Sequence, residues 1–283
     1  MQILKVFGLM TGLTLLFVGL GAYFGGQGGA LFMFVIAAVM NFGTYWFSDR
    51  VVLRMYRARV VDRASAPDLY DMVERLAARA GVPMPALAIA PSDQPNAFAT
   101  GRSPKHGVVC FTQGILRALP PDELAGVTAH ELAHIKHRHM LVGTIAATMA
   151  GAVSMLAMMT RWAFIFGGHR DDDGPNPIAL LVMAIVAPIA AAIIQFAISR
   201  QNEFQADRTG AEIAGTPLGL ARALGRMETY ARRVPMEVNP AAAQLAIVNP
   251  FAGRRGMGLM NLFRTHPPTE ERIARLEALA RGV

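Results

Sequence analysis

Two histidines and a glutamate in the middle of the chain have the types and spacing for metal chemistry. Residues 130–134 read His130-Glu131-Leu132-Ala133-His134. At about 100° per residue the histidines share one helical face, the spacing with which two imidazoles hold one zinc ion, and Glu131 lies beside them to polarise a water. A chance match has a probability of roughly 1% or less. The simpler alternative is a pair of solvated histidines on an amphipathic helix.

A catalytic zinc ion usually has three protein ligands and an open fourth position, so a third ligand is expected elsewhere. Glu203 lies five residues after the apolar segment 178–198, and His134 lies six residues before the apolar segment 140–160. With helical rise, both would emerge at a similar height above the same membrane face, which makes Glu203 the predicted ligand. Asp207, on the same helical face, is expected to orient a ligating histidine. A solvated acidic face is the alternative for this pair.

The elements that position these residues include apolar segments long enough to cross a membrane. The chain has 53% hydrophobic and only 17% charged residues, which excludes an ordinary soluble domain of 283 residues. The helix that carries His134 is expected to run straight into the apolar segment 140–160. A signal peptide is the alternative for the first segment, but no small-residue cleavage site follows it. Four segments have the length of a membrane span: 6–24, 30–47, 140–160 and 178–198.

The charge and the cysteine content indicate which partners and which cell compartment to expect. The net charge is +7, but the arginines lie in juxtamembrane and helical positions without any recognisable nucleic-acid module, so anionic lipid headgroups are the expected counter-charge. The single Cys110 excludes an internal disulfide and suits a reducing compartment. An excess of positive charge beside a span marks the cytoplasmic side. The residues after the second segment that predict this orientation are Arg50, Arg54, Arg57, Arg59 and Arg63.

The fold class expected from these patterns is α+β: a mostly helical integral membrane protein with about four transmembrane helices and a cytoplasmic domain of zincin type. Three short β-prone runs at 87–90, 97–100 and 108–112 predict a small antiparallel sheet. The expected parts are a transmembrane hairpin (1–49), a cytoplasmic part with the motif helix (50–139), a second transmembrane pair (140–198) and a cytoplasmic part with the third ligand (199–283).

Three motifs together resemble the HtpX family of bacterial membrane zinc endopeptidases, relatives of the CAAX prenyl proteases. They are the segment 130–134 followed by an apolar stretch, Asn202-Glu203-Phe204-Gln205-Ala206-Asp207, and the segment 265–273, which begins Thr265-His266-Pro267. The resemblance implies one Zn²⁺ per chain on His130, His134 and Glu203, with Glu131 as catalytic base. It also implies a multi-pass protein of the bacterial inner membrane, with the peptidase domain and both termini in the cytoplasm, that takes part in membrane protein quality control.

Two further features fit that resemblance and leave alternatives open. The run Asn96-Ala97-Phe98-Ala99-Thr100 is similar to the edge strand on which relatives place an extended substrate, or it is an ordinary structural strand. His266 and Arg272 are candidate donors to the oxyanion, although His266 could equally cap the helix that begins near Pro267.

The function expected is zinc-dependent hydrolysis of peptide bonds in misfolded or damaged membrane proteins, with unfolded polypeptides and the lipid bilayer as partners and no nucleic acid. A non-catalytic scaffold or holdase with a structural zinc is one alternative, against which the intact Glu131 argues. An ion or small-molecule transporter is another, but it would need charged residues within the spans.

Overall fold

The structure is a computed structural model that describes residues 2–149, 200–233, 245–247 and 267–282. Its first helix, α1 (Gln2–Met55), consists of two helical arms that meet at a kink. Gly26 has a φ of +57°, which glycine adopts without the steric cost that a side chain would add. The arms Ile3–Tyr23 and Gly25–Met55 are long and apolar enough to cross a membrane, as predicted for the first two segments.

The surface of α1 is the kind that lipid covers. Large apolar side chains along both arms are more than half exposed, and a soluble protein rarely leaves such a patch open to water. The second arm has 31 residues and is therefore about 46 Å long, which exceeds the hydrocarbon core of about 30 Å. Such an arm is long enough to extend beyond the hydrocarbon core. The exposed residues include Phe7, Leu15, Leu31, Phe32, Val39 and Phe42.

Between α1 and the motif helix lies a small sheet, with one helix between its first two strands and a short helix after its last strand. The elements are β1 (Arg59–Val61), α2 (Pro67–Ala80), β2 (Ala86–Ala90), β3 (Ala97–Thr100), β4 (Val108–Thr112) and α3 (Gln113–Ala118). The motif helix is α4 (Pro121–Lys136). The remaining described helices are α5 (His139–Met149), α6 (Arg200–Ala214), α7 (Leu218–Arg233) and α8 (Thr269–Ala280).

The prediction of an antiparallel sheet is wrong, because the sheet is mixed. The strand order is β1-β2-β4-β3, in which β4 pairs antiparallel with β3 but parallel with β2. The reason is topological: the chain reverses direction between β2 and β3 and again between β3 and β4, so β4 runs in the same direction as β2, with which it pairs. The strand β1, which pairs antiparallel with β2, was missed because it is short and starts with an arginine.

The sheet separates two cores, and the side chains alternate between them. Leu87, Val109 and Phe111 pack with the motif helix and the helices behind it. Ala88 and Cys110 pack on the opposite face, against the end of α1 and against α5. Successive side chains of a strand point to opposite faces, so β2, β3 and β4 each contribute residues to both cores.

The motif helix does not run straight into the apolar segment, contrary to the sequence-based expectation. It ends at Lys136, and α5 begins at His139 after Arg138, whose φ is +60°. The described part of the third apolar segment, 140–149, is helical and mostly buried, and it packs on α1. The rest of that segment and the whole of 178–198 lie outside the described residues.

Candidate active site

The candidate site forms where α4 packs against α6. Proline in the first turn of α4 and the acidic pair Asp122 and Glu123 favour helix initiation there. Three turns later the helix presents His130 and His134, and α6 presents Glu203 toward them. His130 and Glu203 are buried, although ionisable residues of these types are seldom buried without partners.

The three predicted ligands converge. The Nε2 atoms of His130 and His134 are 3.0 Å apart. Oε1 of Glu203 lies 3.5 Å from Nε2 of His134, and Oε2 lies 3.8 Å from Nε2 of His130. All three donor atoms lie within 4.8 Å of one another, and no other group of this kind is found among the described residues.

This donor set fits a metal ion. A tetrahedral zinc ion with bonds of about 2.0 to 2.1 Å separates its ligand atoms by roughly 3.3 Å, close to the observed spacings. The surrounding charge fits as well: the carboxyl groups of Glu131, Glu203 and Asp207 are buried around a single buried guanidinium. The charges of ionised Glu203 and Asp207 exceed that of this guanidinium, so a cation between the ligands would bring the site closer to charge balance.

A close helix contact brings Glu203 to the histidines. A Cβ atom on Gly210 of α6 would lie 2.9 Å from Cα of His130 and 3.0 Å from its backbone nitrogen, so only glycine fits at this distance. Gly210 lies seven residues after Glu203 and three after Asp207, on the same helical face. The sequence contained this signal, but sequence reasoning did not use it.

Asp207 contacts His130 on the side of the ring away from the ligand cluster. Its Oδ1 lies 3.0 Å from Nδ1 of His130. A proton on Nδ1 that is donated to Asp207 leaves Nε2 as the lone-pair donor, which is the tautomer that a metal ligand needs. The orienting role of Asp207 stays a prediction, with which this distance is compatible.

Arg272, on α8, is fully buried behind Asp207. Its Nε and Nη2 atoms donate to Oδ2 and Oδ1 of Asp207 at 2.9 and 2.7 Å, and Nη1 donates to the carbonyl of Ile247 at 3.1 Å. Burial raises the pKa of Asp207. The charge of Arg272 and the hydrogen bonds from His130 and Arg272 lower it by more, so the pKa is about 2. Asp207 therefore stays ionised at neutral pH.

Glu131 lies between the ligand cluster and β3. It is only 4% exposed, and the backbone N–H of Ala99 donates to its carboxylate. Burial, followed by the nearby charge of Glu203, raises the pKa of Glu131 well above its usual range. A carboxyl group with a raised pKa is suited to accept a proton and release it again within one reaction cycle.

The run Asn96 to Thr100 lies at an edge of the sheet, beside the motif helix. Because the N–H of Thr112 donates to the carbonyl of Asn96, the alternation of an antiparallel ladder turns the backbone groups of Ala97 and Ala99 away from β4. The Ala99 amide reaches Glu131, as described above. Oδ1 of Asn96 accepts from the N–H of Ile247 at 3.0 Å, a contact that sequence reasoning did not foresee.

Three other histidines, His137, His139 and His266, lie in or near the motifs. His137 Nε2 lies 2.9 Å from the hydroxyl of Thr209 and is not in the ligand cluster. The break after Lys136 turns His139 inward: it is 7% exposed, and its ring centroid lies 5.4 Å from that of His134. His266 lies outside the described residues.

Comparisons with known proteins agree on one family. The model of "Peptidase family M48" matches residues 63–280. A "Protease HtpX homolog" of Gemmatimonas aurantiaca is 59% identical over 99% of this chain and 100% of its own length. One of Thermococcus kodakarensis is 56% identical over 96% of this chain and 94% of its own length.

A solved structure shares the fold. The crystal structure of S. mikatae Ste24p matches with a TM-score of 0.51 at 18% identity, over 97% of this chain. The chain spans 64% of the length of that protein. The family model and the HtpX relatives confirm the expectation of a metallopeptidase and do not favour the alternative of a scaffold. With a ligand cluster suited to a metal ion, a neighbouring glutamate and a matching family model, this membrane-associated chain belongs to peptidase family M48.

Proposed function

We propose that the chain is a membrane-bound zinc endopeptidase that cleaves misfolded or damaged membrane proteins. The observation that carries the proposal is the convergence of His130, His134 and Glu203 beside Glu131. Two imidazoles and one carboxylate are the ligand set of many zinc peptidases, and they leave a fourth position for water or substrate. One Zn²⁺ per chain is therefore expected.

A zinc ion held by these ligands would supply Lewis-acid polarisation of the water and of the scissile carbonyl. Glu131 accepts the proton of the attacking water and passes it to the nitrogen of the leaving amine. Its raised pKa supports both halves of this transfer, since burial weakens its preference for the ionised form. Asp207 holds His130 in the tautomer that leaves Nε2 for the metal.

The substrate is expected to bind as an extended strand along β3. The backbone groups of Ala97 and the carbonyl of Ala99 face away from β4, and hydrogen bonds to a peptide backbone do not depend on the side chains of the peptide. Such binding suits unfolded polypeptides of varied sequence. Asn96 and Phe98, at the start of the strand, hold it against the rest of the domain.

Arg272 has a different role in this proposal from the oxyanion donor expected from sequence. It is 1% exposed and donates its shortest hydrogen bonds to Asp207 and to the carbonyl of Ile247, while its Nη1 lies 3.5 Å from Oε2 of Glu203. We assign it the positioning of Asp207. His266 stays a predicted oxyanion donor or helix cap.

The apolar segments and arginine distribution support a location in the bacterial inner membrane, with both termini and the peptidase domain facing the cytoplasm. The proposed layout keeps the hairpin 1–49, the two peptidase parts 50–139 and 199–283, and the second transmembrane pair 140–198. Lipid and membrane protein substrates are then the partners.

The test is cleavage of an unfolded membrane protein by the detergent-purified chain, with and without zinc. The wild type should produce new fragments, a chelator should stop it, and zinc should restore it. Glu131→Gln should keep its zinc and lose nearly all cleavage. Absence of wild-type cleavage under all conditions, or substantial cleavage by Glu131→Gln, contradicts the proposal.

A further inference from the structure

The strand β3 has two faces with different neighbours. Ala97 and Ala99 point to the core that contains the motif helix, and their small side chains let Glu131 approach the strand. Phe98 points to the opposite core, which the membrane-associated helices help to build. The period of two along a strand therefore connects one side of β3 to the catalytic helix and the other side to the membrane helices.

The second arm of α1 contacts this outer side at two places. The ring of Tyr56, directly after the helix, lies 4.4 Å from the ring of Phe98 between centroids. The guanidinium of Arg102, two residues after β3, lies 4.9 Å from the ring centroid of Trp46. Trp46 is 43% exposed on an apolar helix, as is typical of aromatic residues at a membrane interface.

The helix α5 makes a third contact, at the end of β3. The hydroxyl groups of Thr100 and Thr144 are 3.0 Å apart, and both residues are fully buried. A buried hydroxyl that loses its partner is costly, so this bond holds the strand at a defined position along α5. The same helix begins at His139, next to the ring of His134.

We propose that the membrane helices α1 and α5 are positioning elements for the substrate-binding strand, through Tyr56, Trp46 and Thr144. This inference rests on the proposed function, in which β3 binds the substrate backbone. A strand displaced by about 1 Å would hold the scissile carbonyl away from the reactive geometry, and such misplacement can cost about a hundredfold in rate. The membrane part of the chain thereby contributes to catalysis as well as to anchoring.

The test uses valine in place of threonine, which removes the hydroxyl and keeps the branched shape. Thr144→Val should lower kcat/KM for an unfolded membrane protein about three- to tenfold, as expected for one buried hydrogen bond, with zinc content unchanged. Thr144→Ser, which restores the hydroxyl, should recover most of the loss. Thr100→Val should act like Thr144→Val, and the double variant should lose no more than either single one.

Thr148→Val is the matched control, because Thr148 lies on the same helix and its hydroxyl bonds to the carbonyl of Thr144 within that helix. Its activity should match that of the wild type. Trp46→Leu, at a partly exposed site, provides a second variant and should also lower kcat/KM with zinc retained. The inference is overturned if the wild type is active while Thr144→Val and Trp46→Leu match Thr148→Val, or if their losses arise from lost zinc. An inactive wild type would instead contradict the proposed function.

Discussion

Arg272 holds Asp207 through two parallel hydrogen bonds, of 2.9 and 2.7 Å, in a position where neither residue meets solvent. The same oxygen of Asp207 that accepts from Nη2 lies 3.0 Å from Nδ1 of His130. A bidentate pair fixes the plane of the carboxylate, and the carboxylate in turn fixes the imidazole. The orientation of a predicted metal ligand on α4 thus depends on a residue of the last helix.

Removing the carboxylate that orients His130 should weaken metal binding. Asp207→Ala is expected to raise the Kd for zinc about 10- to 100-fold, the usual effect of losing such a partner. The measurement is competition with a chelating dye. Arg208→Ala, an exposed neighbour on the same helix, is the control and should leave the Kd unchanged. Equal affinities in wild type and Asp207→Ala would refute the orienting role.

Removing the guanidinium of Arg272 should destabilise the fold, because the buried carboxylate of Asp207 then loses its counter-charge. Arg272→Gln is expected to lose about 3 to 5 kcal/mol of stability, the cost of breaking a buried ion pair from one side. Thermal unfolding in detergent measures the change. The double variant Asp207→Asn/Arg272→Gln should lose less than the sum of the two single variants. Strict additivity would contradict a coupled pair.

Acid should lower the stability of the zinc-free protein by protonating Asp207. Asp207 has a pKa of about 2 in the folded chain against an ordinary value of 3.8, so its ionised form stabilises the native state. This contribution is fully present above about pH 4 and is lost as the pH falls toward 2, and it amounts to about 2 kcal/mol. Unfolding curves between pH 5 and pH 2 should therefore fall less steeply for Asp207→Asn than for the wild type. Identical pH profiles would contradict the assignment.

The close contact at Gly210 predicts an effect of a single methyl group. Gly210→Ala should push α6 away from His130 and lower both stability and zinc affinity, since the new Cβ would lie 2.9 Å from Cα of His130, too close without a shift of the backbone. Gly225→Ala is the matched control: its Cβ would meet only a side-chain atom, at 3.7 Å, and alanine favours a helix by about 0.5 to 1 kcal/mol. If both variants bind zinc like the wild type, the tight contact is not needed for the site.

The sequence was sufficient for those parts of the site that depend on helical periodicity. The spacing of His130 and His134 and that of Glu203 and Asp207 each define a helical face, and the two faces meet as expected. The apolar arms of α1 were also predictable, because length and composition alone qualify a segment as a membrane span.

The other features of the fold and the site depend on tertiary contacts and therefore could not be predicted from the sequence. The parallel pairing of β2 with β4 depends on the order of the strands in the sheet, where β4 lies between β2 and β3. Local sequence patterns do not encode this order. The inward position of His139 depends on a single residue, Arg138, with a positive φ. Arg272 was recognised as a site residue, but its partner, Asp207, is 65 residues away in sequence and could be identified only in three dimensions.

The most direct test of the three-ligand site is the zinc content and Kd of the wild type and of Glu203→Ala, measured on the same day in the same detergent. The wild type should hold one zinc ion per chain, and Glu203→Ala should lose most of it at zinc concentrations that saturate the wild type, while Glu131→Gln keeps it. A Glu203→Ala protein that binds one zinc ion as tightly as the wild type would contradict the account.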